Sequence, residues 1–293
     1  MSDATLLVLL STLSTGLILG AIFALVAAGV TIVYGCVWLP NASNGQFFLL
    51  AALGAWSFTS ALGWSSAAAA LAVGALGILL AFILERSLIR LLYDAPNRNI
   101  AYFVMTLGLT QIMSGIFSLT YARWSDQFTL PPLVAGVTLL GPFPIPNNRL
   151  AVLGIAYAML GGLFWLLRRT RFGRALRAVF QNRDAAALRG VDVRGVYRTS
   201  FVLGSAVIFA GGILFALAYS FDLTVAWTIS VTAFAIMIVG GPGSVLGALV
   251  VGLVFGFTQA VVSLFASPTA ATFSYLGAML LMLLLRPSGL FSR

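Results

Sequence analysis

The chain has 293 residues, of which 61% are hydrophobic and 8% are charged, and its mean hydropathy is +1.06. Because a soluble domain is only about half apolar, this composition excludes a soluble globular protein and predicts a membrane protein. The formal net charge of +9 does not indicate a nucleic-acid partner, since the basic residues cluster in loops between apolar runs and form no stripe on a soluble face.

Apolar runs of roughly 20 residues recur along the chain, and each is long enough to cross a ~30 Å hydrocarbon layer as a helix. Helices satisfy their own backbone hydrogen bonds in lipid, so the sequence predicts an all-α fold. We expect a polytopic transmembrane helix bundle, a single domain over residues 1–293, with about eight to ten membrane segments. The apolar runs cover about 5–35, 47–62, 66–84, 100–120, 150–167, 199–220, 226–240, 244–266 and 270–285.

The first run carries small residues at a spacing of four, which lets two helix backbones approach closely. This stripe consists of Gly16, Gly20, Ala24 and Ala28. The run ends in LPNASNGQ, residues 39–46, where Pro40 and Gly45 predict an interruption of the helix. Farther along, the proline-rich connection over 121–149 carries little charge, which is typical of an outer loop.

A second interruption is predicted at GGPGSVLG, residues 240–247, where Gly241, Pro242 and Gly243 should end a helix. A second small-residue stripe follows it. Its members are Ser244, Ala248, Gly252, Gly256 and Ala260. The repetition of a break and a stripe predicts discontinuous helices near a transport site, with possible internal pseudo-symmetry. The alternative is that glycine is simply frequent in membrane helices.

Nine of the 16 basic residues lie within 168–198, which the positive-inside rule assigns to the cytoplasm. Within this segment, Asn182 can be an N-cap, Asp184 lies in the first turn and Gly190 can be the C′ residue, so a two-turn helix is predicted over 183–189. So short a helix is not stable alone, and its alanines permit close docking. We interpret it as a docking helix; the alternative is a solvated loop that sets topology or binds anionic lipid.

Several kinds of catalytic chemistry are excluded by residue type. Histidine and lysine are absent and Cys36 is the only cysteine. A Walker A loop needs a lysine for the nucleotide phosphates, so the chain cannot be its own ATPase. It also has no GxSxG elbow, no metal-ligand cluster and no carboxylate pair at catalytic spacing. We therefore predict a non-catalytic chain that binds no metal and no cofactor of its own.

The stretch FGRALRAVFQNRDAAALRGVDV, residues 172–193, resembles the cytoplasmic coupling loop of branched-chain amino acid ABC transporter permeases. The residues on that pattern are Arg177, Ala178, Val179, Gln181, Ala185 (or Ala186), Leu188 and Gly190. The resemblance implies that these residues, together with Asn182 and Asp184, contact an ATPase subunit. On this hypothesis an arginine in place of Ala186 would uncouple ATP hydrolysis from uptake.

Four other segments resemble the same family in the same order. They are LILGAIFALVAAGVTIVYG (17–35), LPNASNG (39–45), GGPGSVLGALVVG (240–252) and LLRPSGLF (284–291). The chain departs from the family pattern at Ser43, Asn44 and Gln46, where many relatives have alanine, histidine and an acid, and at Pro242, where leucine or methionine is usual.

The resemblance implies a multi-pass permease subunit of a bacterial inner-membrane ABC importer, forming half of the pathway for a branched-chain or related amino acid. It also implies a second permease subunit, for which a related chain is favoured over an identical copy. Two cytoplasmic ATPase subunits would hold ATP and Mg, and a periplasmic binding protein would deliver the substrate. One alternative is the same machine importing urea, a short amide or an aromatic acid; another is a stand-alone channel or ion-coupled carrier.

A polar solute crossing the bundle needs polar partners inside it. The candidates in or beside the apolar runs are Asn41, Asn44, Gln46, Thr106, Thr110, Gln111, Ser114 and Gln259. Asn41 and Asn44 equally suit helix caps, and Gln111 and Gln259 equally suit hydrogen bonds between helices. The helix N-termini after Gly45 and Gly243 could also face a carboxylate, since their N–H groups favour anions.

Overall fold

The computed structural model describes residues 3–37, 41–93, 97–124, 127–140, 143–286 and 288–291, and it confirms the all-α membrane bundle. The helices are α1 (Asp3–Val37), α2 (Asn44–Ser60), α3 (Ser66–Ser87), α4 (Arg98–Tyr121), α5 (Asn147–Arg169), α6 (Arg171–Gln181), α7 (Arg183–Leu188), α8 (Val193–Ala218), α9 (Val225–Gly240), α10 (Val245–Phe265) and α11 (Pro268–Leu285). A short 3₁₀ helix, Ile89–Leu92, follows α3.

Seven helices in the described part of the chain are long and apolar enough to cross a membrane: α1, α3, α4, α5, α8, α10 and α11. The apolar helices α2 and α9 have 17 and 16 residues. At 1.5 Å per residue each is about 25 Å long, shorter than a ~30 Å hydrocarbon core. The predicted eight to ten segments are reached only when these two short helices are counted, and each of them adjoins a predicted interruption.

The two small-residue stripes pack against each other, which the sequence did not predict. A Cβ on Gly252 of α10 would come within 2.5 Å of the Ala24 Cα in α1, and a Cβ on Gly256 would overlap the backbone of Gly20. The α1 and α10 backbones are therefore in direct contact. Because lipid provides no hydrophobic drive for helices to associate, such close approach supplies the packing energy. A pseudo-symmetry between the two halves stays a prediction.

Helix α8 packs on α1 from another side and in the same way. The backbones of Gly29 and Gly204 cross with no room for a side chain, and Gly212 lies against the Phe48 carbonyl of α2. These contacts make α1 almost entirely buried, whereas α3, α4 and α11 present most of their residues outward. The core of the bundle is thus α1, α2, α8 and α9, with the long outer helices around it.

One end of the bundle carries α6 and α7, and we call it the arginine face. The other end carries the connection over 121–149, which contains an antiparallel hairpin, β1 (Val137–Leu140) with β2 (Phe143–Pro146), that the sequence did not predict. The Asn148 amide ties this connection to the bundle, since it donates to the Leu217 carbonyl at 2.6 Å and accepts from the Leu133 N–H at 2.8 Å. We call this end the hairpin face.

The contact between α1 and α10 leads to a stability prediction. We expect Gly256→Val to destabilise the protein by about 1–3 kcal/mol or more, because the added side chain must push two backbones apart. The measurement is the apparent melting temperature and the yield of monodisperse protein in detergent. Gly161→Val in α5 is the matched control, since nothing lies within 4 Å of a Cβ there. Equal behaviour of the two variants would contradict the packing argument.

Candidate functional site

The first interruption lies where predicted, but Gly45 does not cause it. Helix α1 ends at Val37 and α2 begins at Asn44, while Pro40 lies outside the described residues. Gly45 sits in the first turn of α2, so its prediction as a helix breaker is wrong. A Cβ there would overlap the Ala226 carbonyl of α9, and the Gly45 N–H donates to the Ser230 Oγ at 3.1 Å. Glycine is required for this contact between α2 and α9.

Three amide side chains gather at this interruption: those of Asn41, Asn44 and Gln46. Asn41 and Asn44 are 2% and 1% exposed. The Asn41 Oδ1 accepts from the Ser43 N–H at 3.0 Å and from its hydroxyl at 2.6 Å, which forms a local turn. Asn44 makes no such bond, so it is not a cap.

Four buried atoms of these amides have no hydrogen-bond partner in the protein. They are the Asn41 Nδ2, the Asn44 Nδ2 and Oδ1, and the Gln46 Oε1. A buried polar group without a partner costs about 1–3 kcal/mol of stability. Such groups call for an explanation beyond packing; Asn41 and Asn44 are buried close together in the chain, whereas Gln46, two residues after Asn44 on α2, points to a different side of that helix. We call Asn41, Asn44 and Gln46 the amide cluster.

Helix α4 contributes a hydroxyl beside the amide cluster. The Thr106 Oγ1 accepts from the Ala42 N–H at 3.3 Å and donates to the Phe103 carbonyl at 3.0 Å. One turn farther, the Thr110 hydroxyl donates to the Thr106 carbonyl at 2.8 Å, so its proton is used within its own helix. The structure therefore brings Thr106 to the interruption and leaves Thr110 a turn away.

The two remaining glutamines lie elsewhere. Gln111 is exposed on α4. Gln259 of α10 accepts a hydrogen bond from the Tyr275 hydroxyl of α11, and its Nε2 donates to the Ser263 Oγ at 3.3 Å. The alternative interpretation of Gln259, a hydrogen bond between helices, is confirmed.

The helix N-termini near the interruptions already have partners in the protein. At the start of α2, the Gly45 N–H donates to the Ser230 Oγ at 3.1 Å. The Ser244 Oγ accepts from the Gly247 N–H at 3.1 Å, where α10 begins. Because these groups are occupied, the helix ends are weaker candidates for a substrate carboxylate than the amide cluster.

The second interruption is confirmed. Helix α9 ends at Gly240, and Gly241 and Gly243 have φ of 101° and 81°, a left-handed backbone that favours glycine. The segment 288–291 closes this end. The Leu290 N–H donates to the Val239 carbonyl at 2.9 Å, and the Phe291 N–H donates to the Gly240 carbonyl at 3.2 Å. The carbonyls at the end of α9 thus find partners about 50 residues later in the chain.

The arginine-rich segment forms the amphipathic α6 and the short α7. The Asn182 Oδ1 accepts from the N–H groups of Asp184 and Ala185, both at 3.0 Å, which confirms it as the N-cap. At the other end the Val191 N–H donates to the Ala186 carbonyl at 3.1 Å. The Gly190 N–H, at φ 80°, donates to the Ala187 carbonyl at 2.9 Å. This is a Schellman motif with glycine at C′, as predicted.

The orientation of α7 changes which of its residues can meet a partner. Ala186 is 4% exposed and faces the protein's own interior, whereas Leu188 is 91% exposed. An arginine at position 186 would therefore disturb packing within this chain, so the expectation that it tests docking is wrong. The outward surface of α7 consists of Ala185, Ala187 and Leu188, beside the exposed Arg183–Asp184 ion pair of 3.1 Å.

Phe180 connects this segment to both interruptions, a role that sequence reasoning missed. Its ring lies directly on Gly35 near the end of α1, where a Cβ would overlap it. A Cβ on Gly243, in the second interruption, would lie 3.8 Å from the same ring. The Arg177 guanidinium fixes α6 to α5 by donating to the Leu167 carbonyl. Phe180 therefore packs α6 against the end of α1, and its ring lies near the segment that follows α9.

Two helix interruptions, buried amides at the first of them and an arginine-rich arm at one end of the bundle are typical of a membrane transport subunit. Comparison with known sequences gives the family. The profile of the branched-chain amino acid transport system permease component matches residues 12–285. The chain belongs to this family and is a multi-pass inner-membrane permease of the ABC importer type.

Individual relatives agree. The chain is 27% identical to the high-affinity branched-chain amino acid transport system permease protein LivH of Escherichia coli K12, and 25% identical to the corresponding BraD of Pseudomonas aeruginosa. Each alignment covers 97% of this chain and 96% of the relative. Among solved structures, PsaBC from Streptococcus pneumoniae in complex with Fab has a TM-score of 0.52 at 14% identity, covering 94% of this chain and 92% of that one. This likeness shows the fold.

Replacing an amide side chain by leucine should have opposite effects on stability at Asn44, which belongs to the amide cluster, and at Gln259, which lies outside it. Asn44→Leu should keep or raise the melting temperature, because it removes a buried amide that has no partner. Gln259→Leu should lower it, since it leaves the Tyr275 hydroxyl without that acceptor. Thermal unfolding of both variants in the same detergent makes the comparison. A clear loss of stability in Asn44→Leu would show that its amide is satisfied in the folded protein.

Proposed function

We propose that the chain forms half of the translocation pathway of an importer for a branched-chain or related amino acid. The observation that carries the proposal is the match to branched-chain amino acid permeases over nearly the whole chain. A second, related permease would form the other half. Two ATPase subunits would bind ATP and Mg, and a periplasmic binding protein would deliver the substrate.

The amide cluster supports a pathway for a small zwitterion. The Nδ2 groups of Asn41 and Asn44 can donate to a carboxylate, and the oxygens of Asn44 and Gln46 can accept from an ammonium group. The cluster contains no ionisable side chain, so it would hold a passing substrate weakly. Weak binding suits a permease whose selectivity resides in a separate binding protein.

The same neutral amides can also form hydrogen bonds with urea or a short amide, so they are consistent with the alternative cargo as well. Two of the departures from the family pattern, Asn44 and Gln46, fall in this cluster, and a third, Ser43, lies beside it. A stand-alone channel or ion-coupled carrier is less well supported. Ion-coupled carriers place ionisable residues at the membrane midplane, whereas this cluster is built from amides.

The arrangement of α6 and α7 supports coupling to an ATPase. Leu188 projects from α7 with almost its whole side chain exposed, and an isolated leucine among arginines suits insertion into a pocket of another protein. Phe180 would then carry the displacement of the arm to Gly35 and Gly243. The residues from Arg177 to Gly190 thus divide into an outward docking surface and an inward contact with the interruptions.

The docking surface leads to a coupling prediction. In the reconstituted transporter, Leu188→Asp should reduce uptake and binding-protein-stimulated ATP hydrolysis by about tenfold or more, because a carboxylate would have to be buried in an apolar pocket. Yield and melting temperature should not change, since Leu188 contacts little of its own chain. The same change at Leu139, which is 70% exposed on the hairpin face, is the control. Full activity of Leu188→Asp would contradict docking through α7.

The cargo is tested in vesicles. Vesicles that contain this chain alone should not accumulate leucine, because no subunit would couple ATP to transport. With the partner permease, the ATPases and the binding protein, uptake of leucine, urea and phenylalanine should show preference for the branched-chain amino acid. Accumulation by the chain alone would support a stand-alone carrier, and preference for urea or phenylalanine would support the alternative cargo.

A further inference from the structure

A cavity of about 140 Å³ lies on the arginine face, outside the interruptions and outside the docking surface. It is formed where the last turn of α3 and the 3₁₀ helix meet the first turn of α8. The aromatic rings of Tyr93 and Tyr197 pack at 5.2 Å and hold these elements together. The volume is several times the ~30 Å³ that one water molecule occupies in the liquid, so a polyatomic group fits.

Four of the nine described residues that line the cavity are arginines: Arg86, Arg90, Arg194 and Arg198. Arg194 already interacts within the chain. The other three are exposed, and none of them forms an ion pair with a residue that the structure describes. Three guanidinium groups around one small space repel one another unless an anion lies between them.

Two carboxylates also line the cavity, but each is already engaged. The Asp192 Oδ1 accepts from the Gly195 N–H at 2.9 Å and caps α8. The Glu85 Oε1 accepts from the Tyr93 hydroxyl at 3.1 Å, and Glu85 is 2% exposed. Neither forms an ion pair with an arginine in the described part of the chain. Among the described residues that line the cavity, and leaving aside Arg194, three arginines against two acids give an excess of positive charge.

The chemistry of the lining points to a phosphate group. Guanidinium groups bind phosphate oxygens through two parallel hydrogen bonds, and arginine is favoured wherever phosphate is recognised in this way. A single carboxylate offers fewer acceptor oxygens to three arginines from different elements. The shared chemistry is thus that of a phosphate ester or of free phosphate.

The position of the cavity decides between these sources. Phe82 lines it, and this outer surface of α3 is apolar, with Leu79, Phe82 and Ile83 exposed by 53%, 41% and 50%. The arginine face is the cytoplasmic side by the positive-inside rule. The cavity therefore adjoins both a surface for acyl chains and the level of lipid headgroups. We propose that it binds the phosphate of an anionic phospholipid of the inner leaflet.

Lipid bound there would have a structural consequence. Its phosphate would join the end of α3 to the start of α8, directly after the arm formed by α6 and α7. The base of the arm would then be held at the membrane surface while its docking surface moves. Anionic lipid would stabilise the folded chain by mass action, because it binds the native state alone.

The test uses the full chain, purified and delipidated in detergent. Phosphatidylglycerol should bind saturably by native mass spectrometry and raise the melting temperature, whereas phosphatidylcholine and inorganic phosphate should have little effect. In the triple variant Arg86→Gln, Arg90→Gln, Arg198→Gln the affinity for phosphatidylglycerol should fall by about tenfold or more, since several charge-assisted hydrogen bonds are lost.

The matched control is Arg169→Gln, Arg171→Gln, Arg174→Gln, which removes the same charge from exposed positions on the same face. It should bind phosphatidylglycerol like the parent chain. Equal loss in both triple variants, or loss in neither, would overturn the proposal. A response to inorganic phosphate without a response to phosphatidylglycerol would assign the cavity to free phosphate. Should the first triple variant not fold, the single variant Arg90→Gln must still show weaker lipid binding.

Discussion

The direct backbone contact between α1 and α10 is the constraint on which the other features depend. Within a bilayer, lipid is as apolar as leucine, so burial of apolar side chains does not drive helices together. Gly252 and Gly256 lie against Ala24 and Gly20 with no space for a side chain, and this proximity maximises dispersion contacts. Since α8 approaches α1 in the same way at Gly29, helix α1 becomes a buried axis around which the bundle is arranged.

Both interruptions are attached to this axis. Helix α1 leads into the first, and α10 begins just after the second. The packed pair therefore places the end of α1 and the second interruption near each other at the arginine face, whereas α2 begins beside the first turn of α9, at the opposite end of that helix. The Phe180 ring lies directly on Gly35 near the end of α1, and it is close to Gly243 in the second interruption. In the proposed importer, the Phe180 ring would transmit a movement of α6 to the end of α1 and to the second interruption. A rearrangement at a helix break disrupts fewer backbone hydrogen bonds than one inside a helix.

Charge is distributed to match these roles. The buried amides at the start of α2 are neutral, and in the proposed importer they would bind a polar substrate only weakly. Most of the arginines lie at the arginine face, where we propose that they contribute to docking and to the contact with lipid phosphate, whereas Arg123 and Arg149 lie in the connection at the hairpin face. A charged group among the amides would bind a zwitterion more tightly and slow its release.

The apolar helices, both interruptions and the two caps of α7 could be predicted from the amino-acid sequence, because each depends on residues that are close along the chain. The family resemblance was readable for the same reason, since its motifs are short and contiguous. Other features are seen only in the folded chain. Gly45 is a contact residue, and Gln259 pairs with Tyr275. Ala186 faces inward, whereas Leu188 faces outward. Asn44 has no partner, and segment 288–291 closes the end of α9. These features depend on which distant helices meet, and in a chain of nearly uniform apolarity the pattern along one helix does not identify its neighbour.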